Sequence, residues 1–313
     1  MLKPFKQAID RAAINAASKS LPEGSPNAST VTAACELLSR PDLLQPLGQT
    51  GALNRGPDGK FQFESSFKSG IDKNDLVHGR LFLRGENWAA RPLVILVHGW
   101  NAELHYLYIL PLVARALNKR GLNAALIELP FHLHRRPLAG SPMRDFISDD
   151  LPGMINATRQ SISDIDSLAR WAKSQGISKV AVWGFSLGAW LAGLYVCHSA
   201  LCSAAVLTTP ISNLAGAVRE LEFCHPIRAC LNGAQLDLTR LNLTQHRPLI
   251  SPHAIQVMQS DYDLFAPAKE YEDLARAWNL NRWEKEPQGH ISVLTSRKAM
   301  QRSIEWLAQT LAL

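Results

Sequence analysis

An apolar, β-favouring run ends in Gly184-Phe185-Ser186-Leu187-Gly188, and an Ala/Leu-rich helical segment follows at once. The residues before the serine predict a strand over Ile177 to Trp183, and those after it a helix over Leu187 to Val196. A strand that must become a helix around one serine is a strong constraint on the fold. The turn holds Ser186 in strained backbone geometry. Gly184 and Gly188 have no side chains, so strand, turn and helix can approach closely. The helix then begins beneath the serine. Its first N–H groups and positive dipole end sit where a negative oxygen would develop.

The 313 residues allow one large domain or two small ones, and a hydrophobic fraction of 46% suffices for a sizeable core. Lys and Arg outnumber Asp and Glu by 33 to 27, giving +6 with no basic block. Nucleic-acid binding is therefore not expected. The five cysteines (Cys35, Cys197, Cys202, Cys224 and Cys230) form no Cys-x-x-Cys pair, so no zinc or thioredoxin-like site is indicated. Reduced, mostly buried thiols are expected, although Cys224 and Cys230 are close enough in sequence to bond if their segment bends back. Residues Gln7 to Ala17 read as an amphipathic helix rather than a signal peptide. No run approaches a membrane span, and the default location is the cytoplasm.

Residues 1–60 read as a helical extension, with patches around Ile9 to Ala17 and Val31 to Leu38. From Phe61 to Leu313 strands and helices alternate. Buried strands are expected at Pro92 to Val97, Asn123 to Leu129, Ala204 to Thr208 and Ala254 to Met258. Helices are expected at Leu107 to Asn118, Thr158 to Lys173, Pro267 to Trp278 and Ser296 to Leu311. The class is α/β, with a mostly parallel sheet covered on both faces. Two stretches, Pro130 to Gly153 and Pro210 to Pro252, interrupt the alternation. Both follow strands, so both read as lid or cap elements at the carboxyl edge of the sheet, where ligands bind.

A serine hydroxyl is a poor nucleophile until a base takes its proton, and the base is usually a histidine oriented by a carboxylate. Asp261 and Asp263 lie in a loop just after the strand ending at Met258. His290 follows Gly289 just after a short strand at Trp283 to Lys285. The chain order Ser, Asp, His belongs to one fold.

Four motifs in order, His98-Gly99-Trp100, Gly184 to Gly188, Asp263 to Pro267 and Gly289-His290, make the chain resemble the α/β-hydrolase superfamily from about Phe61 to Leu313. The resemblance implies an eight-stranded-type sheet and a triad of Ser186, Asp263 and His290. It selects Asp263 over Asp261, because the family's acid lies four residues before the proline. It also implies an oxyanion hole built from the backbone N–H groups of Trp100 and Leu187, and a structural rather than chemical role for His98. The loop Glu128 to Pro137 departs from the family's common small-residue version and resembles that of a bacterial branch, so the substrate is not inherited.

Three residues of that loop, His132, Arg135 and Arg136, are candidates for substrate or lid contacts. The sharper expectation is that Arg135 or Arg136 receives an anionic group of the substrate. The plainer one is a polar lid loop paired with Asp145, Asp149 or Asp150. His132 and His134 alone are a weak metal signal, because spacing fixes no third ligand. The expected activity is cofactor-free hydrolysis of a small-molecule carboxylic ester through an acyl-enzyme on Ser186. Thioesterase, amidase or acyltransferase chemistry on the same triad stays open. So does a catalytically silent member that binds a ligand or partner.

Overall fold

A computed structural model describes residues 2–25, 27–48, 52–137, 145–231, 233–280 and 282–312. Residues 138–144 of the first insertion, 232 of the second, and 1, 26 and 49–51 of the extension lie outside the described residues. Among the described residues one sheet has nine strands: β1 (Asn54–Arg55), β2 (Lys60–Glu64), β3 (Leu76–Phe82), β4 (Leu93–Val97), β5 (Asn123–Ile127), β6 (Val180–Phe185), β7 (Ala204–Thr208), β8 (Ile255–Ser260) and β9 (Trp283–Glu286). Their order is β1-β2-β3-β5-β4-β6-β7-β8-β9.

Burial sorts these strands. Next to the edge, β2 alternates, with Phe61 and Phe63 inward and Lys60, Gln62 and Glu64 outward. It pairs antiparallel with β1 and β3. The central strands β4 to β7 are buried at every residue. A strand covered on both faces carries apolar residues at consecutive positions, which is the pattern of Leu93 to Val97. The period of two divides them: Leu93, Ile95 and Val97 enter one core, Val94 and Leu96 the other. The first core is closed by helices Leu151–Ser174 and Leu187–His198, the second by Leu110–Lys119 and Arg297–Thr310. The two-residue β1 adds a strand to the expected eight, because the backbone of Asn54 and Arg55 finds partners on the open edge of β2.

From β4 the chain moves to β5 on one side and then crosses back to β6 on the other. The order reverses there, so the loops leaving β4 and β6 diverge and open a crevice at their carboxyl ends. The expected lid at Pro130 to Gly153 ends earlier than its composition suggests. The long helix starts at Leu151, where the Asp150 carboxylate caps it by accepting from Gly153 N–H at 3.0 Å. Proline in the first turn is compatible with such a start, although it reads as a breaker in sequence. The second insertion folds into short helices at Leu214–Glu220 and His225–Leu231 that lie over the crevice. The N-terminal helix Leu2–Ser20 packs against that cap and against the short helix His290–Val293, while helix Ala28–Ser39 packs on Leu151–Ser174. All five cysteines are free thiols. Among the described residues no helix is long and apolar enough to cross a membrane.

Candidate active site

Ser186 stands between β6 and its helix with φ 55° and ψ −118°, a conformation a serine adopts only where its surroundings impose it. Those surroundings are visible at the flanking glycines. A β-carbon on Gly184 would lie 2.1 Å from the Gly188 carbonyl oxygen, and one on Gly188 would lie 2.3 Å from that of Val97. Neither position admits a larger residue without moving the strand or the helix. The Ser186 N–H donates to Thr208 O on the neighbouring strand at 2.9 Å, which anchors the turn.

The loops after β8 and β9 bring two further groups to this point. His290 Nε2 lies 2.7 Å from Ser186 Oγ, and His290 Nδ1 lies 2.8 Å from Asp263 Oδ2. The Asp263 and His290 side chains are each only 1% exposed. A carboxylate can only accept, so Nδ1 carries the proton and Nε2 presents its lone pair to the serine hydroxyl. Asp263 Oδ1 accepts from the N–H groups of Phe265 (2.7 Å) and Ala266 (2.9 Å), and Oδ2 also accepts from the Tyr271 hydroxyl at 2.8 Å. Burial pushes the Tyr271 phenol well above its ordinary range, so it stays a donor. Asp263 does not cap the following helix, which starts after Pro267 without a side-chain cap. Asp261 is exposed.

The loop after β4 runs past the serine. Gly99 brings its backbone close to Ser186, and Trp100 and Asn101 line the pocket beside it. Two histidines brace it, His98 at its start and His132 from the loop after β5. His98 Nδ1–H donates to Gly99 O at 2.7 Å, and its Nε2 accepts from Leu129 N–H at 3.0 Å. His132 Nδ1–H donates to Pro130 O at 2.8 Å, and its Nε2 accepts from Asn101 N–H at 3.2 Å. Burial lowers their pKa values to about 3 and about 4, so both are neutral, each with one donor and one acceptor in use. His98 thus has its two ring nitrogens on backbone groups. The Leu187 N–H opens the helix and has no carbonyl one turn earlier within it, and Leu187 lines the space beside Ser186.

That space is a pocket of about 560 Å³. Its walls come from the N-terminal helix (Ala13, Ala16 and Ala17), the cap (Leu214, Ala217, Val218, Leu221 and Ile227), and Phe146 and Ile147. Among the described residues its lining contains no Lys, Arg, Asp or Glu. Phe265 stacks on the His290 ring with centroids 4.3 Å apart, and Trp100 stacks on Phe223 at 5.2 Å. Trp100 Nε1–H donates to Asp145 at 2.6 Å, which ties the cover to the β4 loop.

The three loop candidates lie elsewhere, a correction to the expected substrate or lid contacts. His132 braces the β4 loop, as described. Arg135 is fully buried, pairs with Asp164 at 2.8 Å and donates to the carbonyls of Asn74 and Glu128. Its partner is on the long helix, not among the three expected aspartates. Arg136 pairs at the surface with Glu103 at 2.8 Å. None of the three lines the pocket. Residues 133–135 form one tight turn after a positive-φ Phe131, and this swings Arg135 inward. His134 bonds to Glu128, so the two histidines of the His-x-His pair have separate partners.

Sequence reasoning missed Asp10, Tyr271 and Phe265. Asp10 carried a readable signal: it shares a helix face with Ala13 and Ala17, which puts a carboxylate on the side expected to be buried.

Residues 78–223 match the family described as "Alpha/beta hydrolase domain containing 18". No curated protein matches the sequence closely enough to count as a relative. Among solved structures, a cold-adapted esterase from an Arctic intertidal metagenomic library is similar at 18% identity and TM-score 0.54, over 84% of this chain and 98% of that one. Est1E from Butyrivibrio proteoclasticus is similar at 12% identity and TM-score 0.54, over 82% and 100%. Thermogutta terrifontis esterase 2, phosphoramylated by tabun, is similar at 15% identity and TM-score 0.56, over 82% and 97%.

Proposed function

This chain has the α/β-hydrolase fold, and we propose that it is a serine hydrolase that cleaves carboxylic esters with an apolar acyl group. The observation that carries this reading is the 2.7 Å contact between Ser186 Oγ, held at positive φ, and the unprotonated nitrogen of His290. A serine without a task needs neither the strain nor the buried base. The structural neighbours named as esterases favour the same reaction class.

In the proposed reaction His290 takes the Ser186 proton as Oγ attacks the ester carbonyl. Asp263 keeps the ring in the tautomer that accepts at Nε2 and stabilises the imidazolium that forms. The N–H groups of Trp100 and Leu187 receive the oxyanion, which appears only as the tetrahedral intermediate forms. His290 then protonates the departing alcohol. Water, deprotonated by the same ring, releases the acid from the acyl-serine.

The pocket supports the choice of acyl group. Its volume lies in the range of small-molecule sites, about 300–1,000 Å³, and its walls are mostly alkyl and aromatic. Among the described lining residues a charged acyl group would find no counter-ion. The test is a chain-length series of p-nitrophenyl esters with Ser186→Ala as control. Turnover that rises from acetate to medium chains and disappears in the variant is expected. Full turnover in Ser186→Ala would refute the mechanism.

A further inference from the structure

The N-terminal helix delivers one carboxylate into the body of the protein. Asp10 is 0% exposed. Its Oδ2 accepts from His290 N–H (2.8 Å) and Leu264 N–H (3.2 Å), and its Oδ1 accepts from Ile291 N–H (3.0 Å). These donors sit on two loops that leave different strands. One follows β8 and carries Asp263, and the other follows β9 and carries His290. We propose that Asp10 is a positioning residue for His290, which makes the N-terminal helix a working part of the active site. This rests on reading His290 as the general base.

Three features carry the proposal. Burying a carboxylate is unfavourable, and it pushes the Asp10 pKa up, while the bonds from His290 and Ile291 and the nearby imidazole pull the other way. Such a group persists where several donors hold it. The contact is also close-fitted. A β-carbon on Gly289 would lie 2.9 Å from both Asp10 carboxylate oxygens, and its three nearest atoms would all be those of Asp10. Gly289 has an ordinary extended backbone (φ −87°, ψ 176°), so the closeness to Asp10 is what a side chain would disturb.

The third feature is charge. His290 lies between two carboxylates, Asp263 at its ring and Asp10 at its backbone. Other titratable groups nearby include the Tyr271 hydroxyl on Asp263, Glu270 beside it, Lys6 bonded to Pro287 O, Lys3 and Lys6 over the Tyr262 ring, and His105 packed on Phe185. Asp10 links the acid-bearing and base-bearing loops through three backbone donors. Its charge favours the imidazolium that develops as Ser186 attacks.

The experiment compares wild type, Asp10→Asn, Gly289→Ala and Ser186→Ala on one ester of suitable chain length. Asp10→Asn keeps the size, removes the charge and turns an amide donor toward a backbone N–H. A fall in kcat of about ten- to a hundredfold with KM within about twofold is expected, the size of effect that sub-ångström misplacement of a catalytic group produces. The acid limb of the kcat/KM profile should move to lower pH, because the imidazolium loses a favourable charge. A merely structural role would lower the melting temperature and leave that limb in place. Gly289→Ala strains the same contact in a chain that retains Asp10, and should lower kcat at constant KM even if Asp10→Asn fails to fold. In an Asp10→Ala background Gly289→Ala should add no further loss. Wild-type kcat and acid limb in Asp10→Asn, or wild-type kcat in Gly289→Ala, would overturn the proposal. Turnover by Ser186→Ala would instead overturn the hydrolase reading on which it rests.

Discussion

Asp263→Asn separates orientation of the base from mere bonding to it. In the protein Asp263 accepts four hydrogen bonds, two loop N–H groups on Oδ1, and the Tyr271 hydroxyl and His290 Nδ1 on Oδ2. An asparagine keeps the two loop bonds on its amide oxygen, and its NH₂ then faces Tyr271 and His290. The Tyr271 hydroxyl can rotate to accept. His290 can accept at Nδ1 only by carrying its proton on Nε2, which removes the lone pair aimed at Ser186. The variant also loses the negative charge 2.8 Å from the imidazolium that forms during attack. Wrong tautomer and lost charge together are worth about four decades in kcat, or ~5 kcal/mol of barrier. Stability should change by less than about 2 kcal/mol, because every polar group retains a partner. The assay is kcat on a short p-nitrophenyl ester beside a urea-denaturation midpoint. A folded variant within tenfold of wild-type kcat would refute the orienting role of Asp263.

Three further outcomes follow from the geometry. Arg135→Ala leaves the buried Asp164 carboxylate without its counter-ion, so about 3–5 kcal/mol of stability is lost, whereas Arg136→Ala, at a half-exposed pair, costs under about 1 kcal/mol. Chemical denaturation checks this, and the Arg136→Ala preference between anionic and neutral esters should equal wild type. Acid should destabilise the fold through its neutral, buried histidines. His98 and His132 protonate at about 3 and about 4 when folded but near 6.5 when unfolded, so the unfolded chain binds more protons below pH 6.5 and stability falls with pH. Each contributes a slope of up to about 1.4 kcal/mol per pH unit down to its folded value, and His132→Gln should flatten the curve between pH 6.5 and 4 by one such share. An unchanged slope would contradict the neutral brace. Ala217→Phe should fill the cap side of the pocket and lower kcat/KM for medium-chain esters by tenfold or more while leaving acetate turnover near wild type, read from the chain-length series.

The parts of this architecture that repeat along the chain were legible in sequence. The buried run of Leu93 to Val97, the alternation of strands and helices, and the strand–serine–helix junction at Ser186 all follow from local pattern. Their consequence, a crevice at the carboxyl ends of β4 and β6, follows from wiring rules. Side-chain direction in the irregular loops did not follow. Arg135 looks like a surface anion receptor because charged loop residues usually face water. The positive φ at Phe131 and Leu133 turns the guanidinium inward to a buried aspartate, and no composition signal encodes that turn. The start of the long helix at Leu151 was hidden by the Pro and Asp that cap it. The partner of Asp10 was hidden by distance: 280 residues separate it from His290, and the folded chain brings them into contact.

The most direct test of the account is intact-mass analysis after exposure to a fluorophosphonate, with peptide mapping of the modified site. One adduct per chain on Ser186, lost in Ser186→Ala and strongly slowed in His290→Ala, is the predicted result. Labelling of Ser186 that is equally fast without the imidazole, or no labelling of the folded wild-type chain, would contradict an activated serine at this site.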